Sequence, residues 1–266
     1  MENQHQYALI TGATEGIGYE LAKLFAKDKY NLVIVARNQD ELDVTADELK
    51  QYGVRVFTSA RDLFKSEDVF GLCQELDERG IEINVLVNNA GQGIYGLFKD
   101  TDLKRELDIV NLNINATIIL TKHFLKNMLL RNEGKILYLA SIASKTPGPW
   151  QSVYHGTKAF VLSFSEALRS ELEDTNITVT ALLPGPTNTD FFNKANMTNS
   201  KIVQDKDSLA DPQDVALDGY TALMGNKDKI VSGLNNKLKV GMSNVLSDSL
   251  NAEMMKEQQK PVDGRD

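Results

Sequence analysis

The chain predicts an α/β fold, one doubly wound domain with a parallel sheet of about seven strands and helices on both faces. Three observations lead there. Short apolar runs of strand length alternate with stretches of helical periodicity along the 266 residues, and such alternation requires crossover connections that make the strands parallel. The first apolar run ends in a glycine-rich turn that opens a helix. Hydrophobic residues make up 42% of the chain, enough for a continuous core.

The strands are read in order from residues 7–10, 32–36, 54–57, 85–87, 136–139 and 179–183, with a shorter seventh at 229–231. Helical periodicity fills 20–28, 39–51 and 66–79 between them. Right-handed crossovers then place ligands at the carboxyl ends of the strands. No repeat, low-complexity tract or linker interrupts the pattern, so residues 1–257 are expected to form one domain. Residues 185–208 are polar, rich in Asn and Thr, and too long for an ordinary connector. They are a candidate lid. A terminal helix at about 234–257 carries Leu238, Met242, Val245 and Leu246. Three roles are open to it: covering the site, joining a subunit interface, or capping the core. Residues 258–266 are expected to be a disordered tail.

Composition excludes several classes. A net charge of −8 opposes a nucleic-acid-binding surface, which needs a basic patch. No apolar run approaches the roughly 20 residues of a membrane span. The first residues are polar and do not read as a signal peptide. The single Cys73 excludes an intramolecular disulfide and reads as a small core residue, and with three His there is no metal-ligand cluster. Together these point to a soluble, cytoplasmic protein.

Directly after the first strand stands Thr11-Gly12-Ala13-Thr14-Glu15-Gly16-Ile17-Gly18. Its glycines permit a tight turn and close approach of a pyrophosphate to backbone amides at a helix N-terminus. The spacing is Gly-x-x-x-Gly-x-Gly rather than the general dinucleotide fingerprint, and its strand-turn-helix context makes it a candidate cofactor loop. At the end of the second strand an acid would bind a 2′-hydroxyl and select NAD. Here Ala36 is followed by Arg37, which suits a 2′-phosphate. NADP(H) is therefore the preferred cofactor, with NAD(H) still possible. Farther along, Tyr154 and Lys158 stand at i and i+4 and share a helix face, and Ser141 lies thirteen residues before Tyr154. An ammonium one turn away favours the phenolate and is expected to lower the Tyr154 pKa, while a hydroxyl orients a substrate oxygen beside the phenol.

These motifs, in this order and over nearly the whole chain, resemble the short-chain dehydrogenase/reductase family. The resemblance assigns roles to residues of this sequence. Gly12, Thr14, Glu15, Gly16, Ile17 and Gly18 form the cofactor loop, although relatives that bind NADP often carry a base at the place of Glu15. Asp62, with Leu63, matches the acid that contacts the adenine amine. Asn89, Ala90 and Gly91, preceded by Asn88, line the cofactor after the fourth strand. Pro184, Gly185, Thr187 and Thr189 match the segment after the sixth strand, with Thr189 placed for the nicotinamide carboxamide. Asn113, Ser141, Tyr154 and Lys158 match the catalytic tetrad, Asn113 being chosen over its alternating neighbours Asn111 and Asn115.

The resemblance implies a reversible hydride transfer, most simply the NADPH-dependent reduction of an aldehyde, ketone or 3-oxoacyl compound. Tyr154 would donate the proton, Ser141 would hold the oxygen, and Lys158 would bind ribose hydroxyls and tune Tyr154. Asn113 would bend its helix and hold a water linking Lys158 to solvent. Gln92, Gly93, Ile94 and Tyr95, Pro147, Gly148, Pro149 and Trp150, and Phe191 and Phe192 are candidate substrate walls, and His155 reads as a wall residue rather than a base. Relatives commonly form dimers or tetramers. Phe160, Val161, Phe164 and Leu168 fit such an interface and fit intramolecular packing equally well. Three other readings stand beside this one. A non-catalytic NADP(H)-binding sensor or scaffold keeps the fold. A methyltransferase leaves Tyr154 and Lys158 unexplained. An epimerase or dehydratase usually has a longer chain.

Overall fold

The structure, a computed structural model, describes residues 3, 5–205, 208–243 and 245–262. From the amino end the elements are β1 (Tyr7–Thr11), α1 (Gly16–Lys27), β2 (Asn31–Ala36), α2 (Gln39–Lys50), β3 (Val56–Ala60), α3 (Ser66–Glu78) and β4 (Ile83–Asn88). Then come α4 (Leu103–Val110), a π-helical turn at Asn111–Asn115, α5 (Ala116–Arg131), β5 (Gly134–Leu139), a 3-10 turn at Ile142–Lys145, α6 (Ser152–Glu171) and β6 (Ile177–Leu183). The last part holds α7 (Phe191–Lys194), α8 (Lys201–Gln204), α9 (Pro212–Met224), β7 (Lys229–Val231), α10 (Leu234–Ser243) and α11 (Asp248–Gln259). The seven strands are ordered β3-β2-β1-β4-β5-β6-β7, every pair parallel. The expected fold class is the observed one.

Alternation along each strand divides the core in two. Leu9, Val33, Leu86, Ile136 and Tyr138 point to the face covered by α3, α5 and α6. Ala8, Ile10, Leu32, Ile34, Val87 and Leu137 point to the face covered by α1, α2 and α9. A sheet buried on both faces needs apolar residues at successive positions, which is why the central strands read as unbroken hydrophobic runs. The edge strand departs from expectation: the third strand spans Val56–Ala60, not 54–57. Its outer half, Thr58 and Ser59, is polar yet pairs with Ile34 and Val35, and Ser59 is satisfied by Glu75 of α3 (3.2 Å). Hydropathy alone cannot see a strand whose polar side chains have partners.

Helix starts follow local chemistry. Asn38 accepts from the amides of Asp40 and Glu41 to begin α2, and Asp211 with Pro212 begins α9. The expected terminal helix is broken in two, because Ser247 accepts from the Leu250 amide and caps a new start, α11. The tail expected from residue 258 does not begin there. Gln259 is buried, and Pro261 bridges Ser200; residues 263–266 lie outside the described residues. Of the four residues weighed for an interface, Val161 and Leu168 belong to this chain's own core, while Phe160 stacks on Phe164 with ring centroids 5.8 Å apart.

Sheet order reverses direction between β1 and β4, and their carboxyl ends diverge there. One side chain ties them. Thr11 Oγ1 donates to the Val87 carbonyl (3.2 Å) and accepts from the amides of Asn89 (3.0 Å) and Ala90 (2.9 Å). Asn89 Nδ2 answers by donating to the carbonyls of Thr11 (2.8 Å) and Gly12 (3.1 Å). Thr11→Val keeps the shape and removes the hydroxyl. The Asn89 amide also reaches the Val87 carbonyl, so the stranded donor is Ala90. Urea unfolding should show a loss of about 1–3 kcal/mol; an unchanged midpoint would mean the tie contributes nothing.

Candidate active site

A cavity of about 860 Å³ opens at this divergence, where ligands of doubly wound sheets bind. Its floor at one end is the β1–α1 loop. Gly12 has φ of +65°, and a Cβ on Gly18 would lie 2.1 Å from the Gly12 carbonyl oxygen. Only glycine lets the loop fold this tightly onto the start of α1. Thr14, Glu15, Gly16 and Ile17 complete the loop and line the cavity with Gly12 and Gly18. Arg37 and Leu63 line it from the ends of β2 and β3, and Asn89, Ala90 and Gly91 from the end of β4. Pro184, Gly185, Thr187 and Thr189 line it beyond β6. Asp62 is placed differently. Its carboxylate accepts from the Phe64 amide (3.4 Å) and pairs with Lys65 (3.6 Å), and it faces a smaller neighbouring cavity of about 330 Å³.

Ser141, Tyr154 and Lys158 gather on the cavity wall nearer the middle of the sheet. Ser141 follows β5 and opens the 3-10 turn by accepting from the Ala143 amide (3.1 Å). Tyr154 and Lys158 lie on α6, with Lys158 Nζ 5.9 Å from the Tyr154 ring centroid. Lys158 is buried and donates to the Leu139 carbonyl (2.7 Å). Burial pushes its ammonium down to about 8. Tyr154 keeps part of its surface open to the cavity, yet protein surrounds the phenol. That desolvation pushes it up to about 12, with the Ser141 hydroxyl pulling the other way. In the protein alone burial outweighs the expected lowering of the Tyr154 pKa; it opposes ionisation of both groups, yet leaves Lys158 charged at neutral pH.

Asn113 does not line the cavity but stands one layer behind it. In the π-helical turn its Nδ2 donates to the Gln92 carbonyl (2.9 Å) and Thr157 Oγ1 (2.9 Å), and its Oδ1 accepts from the Gln92 amide (3.0 Å). A Cβ on Gly91 would lie 3.2 Å from Lys158 Nζ and 3.3 Å from Asn113 Oδ1, so both groups press on one point. Asn115 instead donates to Asn111 (2.8 Å). An extra residue inside a helix is a common way to turn a side chain toward a site, and here it separates Asn113 from its neighbours.

The lid region lies over the cavity. Phe191, Phe192 and Lys194 of α7 line it, and Lys194 pairs with Glu15 of the glycine loop. Met242, Leu246, Met254 and Met255, from α10, α11 and the turn between them, form an apolar roof. Of the three roles open to the terminal segment, covering the cavity is the one the structure displays. Of the expected walls, Gln92, Phe191 and Phe192 line the cavity, as does His155. Gly93, Ile94, Tyr95, Pro147, Gly148, Pro149 and Trp150 do not line it. Ile94 and Trp150 are buried, the Tyr95 amide donates to Ala195, and the Gly96 amide donates to the Trp150 carbonyl. Sequence reasoning passed over Thr146, Gln151, Lys194 and Gln259. Met242 and Leu246 of the expected terminal helix were the visible hint of a roof, which Met254 and Met255 extend.

The model of the short chain dehydrogenase family matches residues 6–200. A very-long-chain 3-oxoacyl-CoA reductase of Laccaria bicolor is 38% identical over 176 residues, 65% of this chain and 52% of that protein. The ketoacyl reductase HetN of Nostoc is 33% identical over 177 residues, 66% of this chain and 62% of that one. The matched segment therefore spans little more than half the length of the Laccaria relative. Among solved structures, the short-chain dehydrogenase from Sphingobium yanoikuyae in complex with NADPH is similar with a TM-score of 0.80 at 28% identity, covering 91% of this chain and 95% of that one. With the seven-stranded sheet in this order and the family match over most of its length, the chain belongs to the short-chain dehydrogenase/reductase family of oxidoreductases.

Proposed function

We propose that this oxidoreductase reduces the carbonyl of an apolar substrate, of aldehyde, ketone or 3-oxoacyl type, with NADPH. The observation that carries the reading is one continuous cavity, with a glycine-lined cradle at one end and Ser141, Tyr154 and Lys158 beneath an apolar roof. The residues fit a nicotinamide dinucleotide. The cradle has no room for a Cβ at Gly18, and its turn opens helix α1, whose free amides suit a pyrophosphate. Arg37 lies against the Phe64 ring, 5.5 Å from its centroid, with no ion pair among the described residues. It is thereby available to a 2′-phosphate. Glu15, the acid that would oppose a phosphate, is paired with Lys194. When bound, the reduced nicotinamide supplies the hydride.

The chain's own residues supply the proton and the geometry. Tyr154, with its phenol near 12, is protonated throughout the neutral range and suits the donor role. Ser141 holds the substrate oxygen beside it, which fixes the reacting groups before transfer. Lys158, charged below about pH 8, stabilises the phenolate left behind and draws the phenol toward the operating pH. Asn113 positions the Gln92 backbone and the Thr157 hydroxyl around that pair. The roof of Met242, Leu246, Met254 and Met255 suits an acyl chain or other apolar body, methionine being adaptable to varied shapes. The names of the relatives, 3-oxoacyl-CoA reductase and ketoacyl reductase, support the same class. Among the described residues no helix is long and apolar enough to cross a membrane. A cytoplasmic homodimer or tetramer is part of the proposal, on the family resemblance.

Three measurements test it. Tyr154→Phe should lose about 10²–10⁴-fold in NADPH oxidation with a ketone panel while binding NADPH as tightly as the parent; retained turnover would remove Tyr154 from its role. Arg37→Ala should raise the KM for NADPH about tenfold or more and leave that for NADH little changed, whereas equal effects on both would return Arg37 to a surface role. Lys158 has a folded pKa near 8 against an ordinary lysine value of 10.5. Between those pH values the unfolded chain holds more protons, so stability rises with pH across that window and its burial penalty is constant below it. Relative to Lys158→Met, the cofactor-free parent should gain up to roughly 3 kcal/mol from pH 8 to pH 10.5. A flat difference in urea unfolding would show that Lys158 is not held at a depressed pKa.

A further inference from the structure

Two buried amides beside Tyr154 each have one end without a partner. Gln151 is 4% exposed and Gln259 is 3% exposed. Gln151 Nε2 has no acceptor and Gln259 Oε1 has no donor, and both residues line the substrate side of the main cavity. Buried polar atoms are almost always paired, so two orphans of opposite polarity on one wall mark a place built for something else. Thr146 Oγ1, on the same cavity, is a third.

The orientation of Gln259 is fixed by chemistry. His155 Nδ1 lies 2.8 Å from the Thr146 carbonyl, which only accepts, so Nδ1 carries the proton. His155 Nε2 therefore accepts, and the group that donates to it at 3.0 Å is Gln259 Nε2. The Gln259 backbone carbonyl accepts from the Tyr95 hydroxyl. Held at two points, Gln259 leaves its Oε1 as the free acceptor. Gln151 follows Trp150, whose φ is +63°. A Cβ on Gly93 would lie 2.9 Å from Phe191 Cζ, 3.3 Å from Gln151 Nε2 and 3.4 Å from Tyr154 Cδ2. The donor amide thus stands beside the Tyr154 and Phe191 rings on the cavity wall.

The charged groups facing this wall do not invite an ion. Burial disfavours charge on His155, and Lys158 is committed to the Leu139 carbonyl. We propose that Gln151 and Gln259 form a second polar anchor of the substrate chamber. It takes a neutral group that both accepts and donates a hydrogen bond, a carboxamide or a hydroxyl, carried close to the reacting carbonyl. The proposal rests on the reductase reading of the site. It ranks substrates. An amide satisfies both glutamines, an ester satisfies Gln151 alone, and a simple ketone satisfies neither. A site built to hydrogen-bond a group discriminates strongly against the analogue lacking it.

Trp150, the one tryptophan of the chain, is buried and adjoins Gln151, so its emission reports on the anchor without any turnover. The protein with NADP+ is titrated with acetoacetamide, methyl acetoacetate and 2-pentanone, and NADPH oxidation is followed separately with the same three. Acetoacetamide is expected to saturate at about tenfold or more lower concentration than 2-pentanone, with the ester between them. Gln151→Leu and Gln259→Leu should bring the three within about twofold. Equal titration of the three by the parent protein overturns the anchor, whether or not ketones are reduced, and that comparison needs no variant to fold. Selective binding of the amide without NADPH oxidation would support the anchor and remove the reductase reading instead.

Discussion

The hydroxyl of Thr11 and the amide of Asn89 tie together the two strand ends on which the rest of the site depends. A parallel sheet in this order sends the connections after β1 and β4 to opposite faces, and a crevice opens between them. Without a tie the two loops have unpaired backbone groups and no reason to keep their distance. Thr11 and Asn89 pair those groups across the crevice. The glycine loop, the Asn88–Gly91 segment and, through Gly91, the Lys158 side chain are then set relative to one another. Sheet topology makes the opening, and two polar side chains give it fixed walls.

The chemistry of the site runs against the stability of the fold. A lysine and a tyrosine sit where burial opposes ionisation of either, with one carbonyl and one hydroxyl as compensation. In a region selected only for packing, such a pair would be replaced by apolar residues of similar volume. Its placement beside a cavity gives it use. A cation held at the edge of ionisation responds strongly to a nearby negative charge, and a neutral phenol surrounded by protein gives up its proton only when the leaving charge is stabilised. The neutral His155 beside them adds no competing proton.

Much of this was legible in the sequence because the signals are local. The inner strands announce themselves as hydrophobic runs, and the glycine loop must be glycine for reasons visible within eight residues. Tyr154 and Lys158 are one helical turn apart. What was not legible depends on distant partners. The third strand was displaced because Ser59 is polar in sequence and satisfied only by Glu75 across the fold. The Tyr154 pKa was argued from one neighbour, whereas burial by many residues sets its direction. The terminal segment read as helix plus loose tail, since Gln259 gains its value from His155 and Tyr95, residues 104 and 164 positions away. Asp62 was placed by its position after a strand, and a local pairing with Lys65 turns it to the neighbouring cavity.

Chain order also sets the order in which the parts of the cavity are synthesised. Every residue of the nucleotide cradle, from Gly12 to Thr189, precedes every residue of α10 and α11 in the chain. A polypeptide emerging from the ribosome can pair its first six strands and close the cradle while the roof is still unsynthesised. Met254, Met255 and Gln259 are therefore the last parts of the cavity wall to be synthesised.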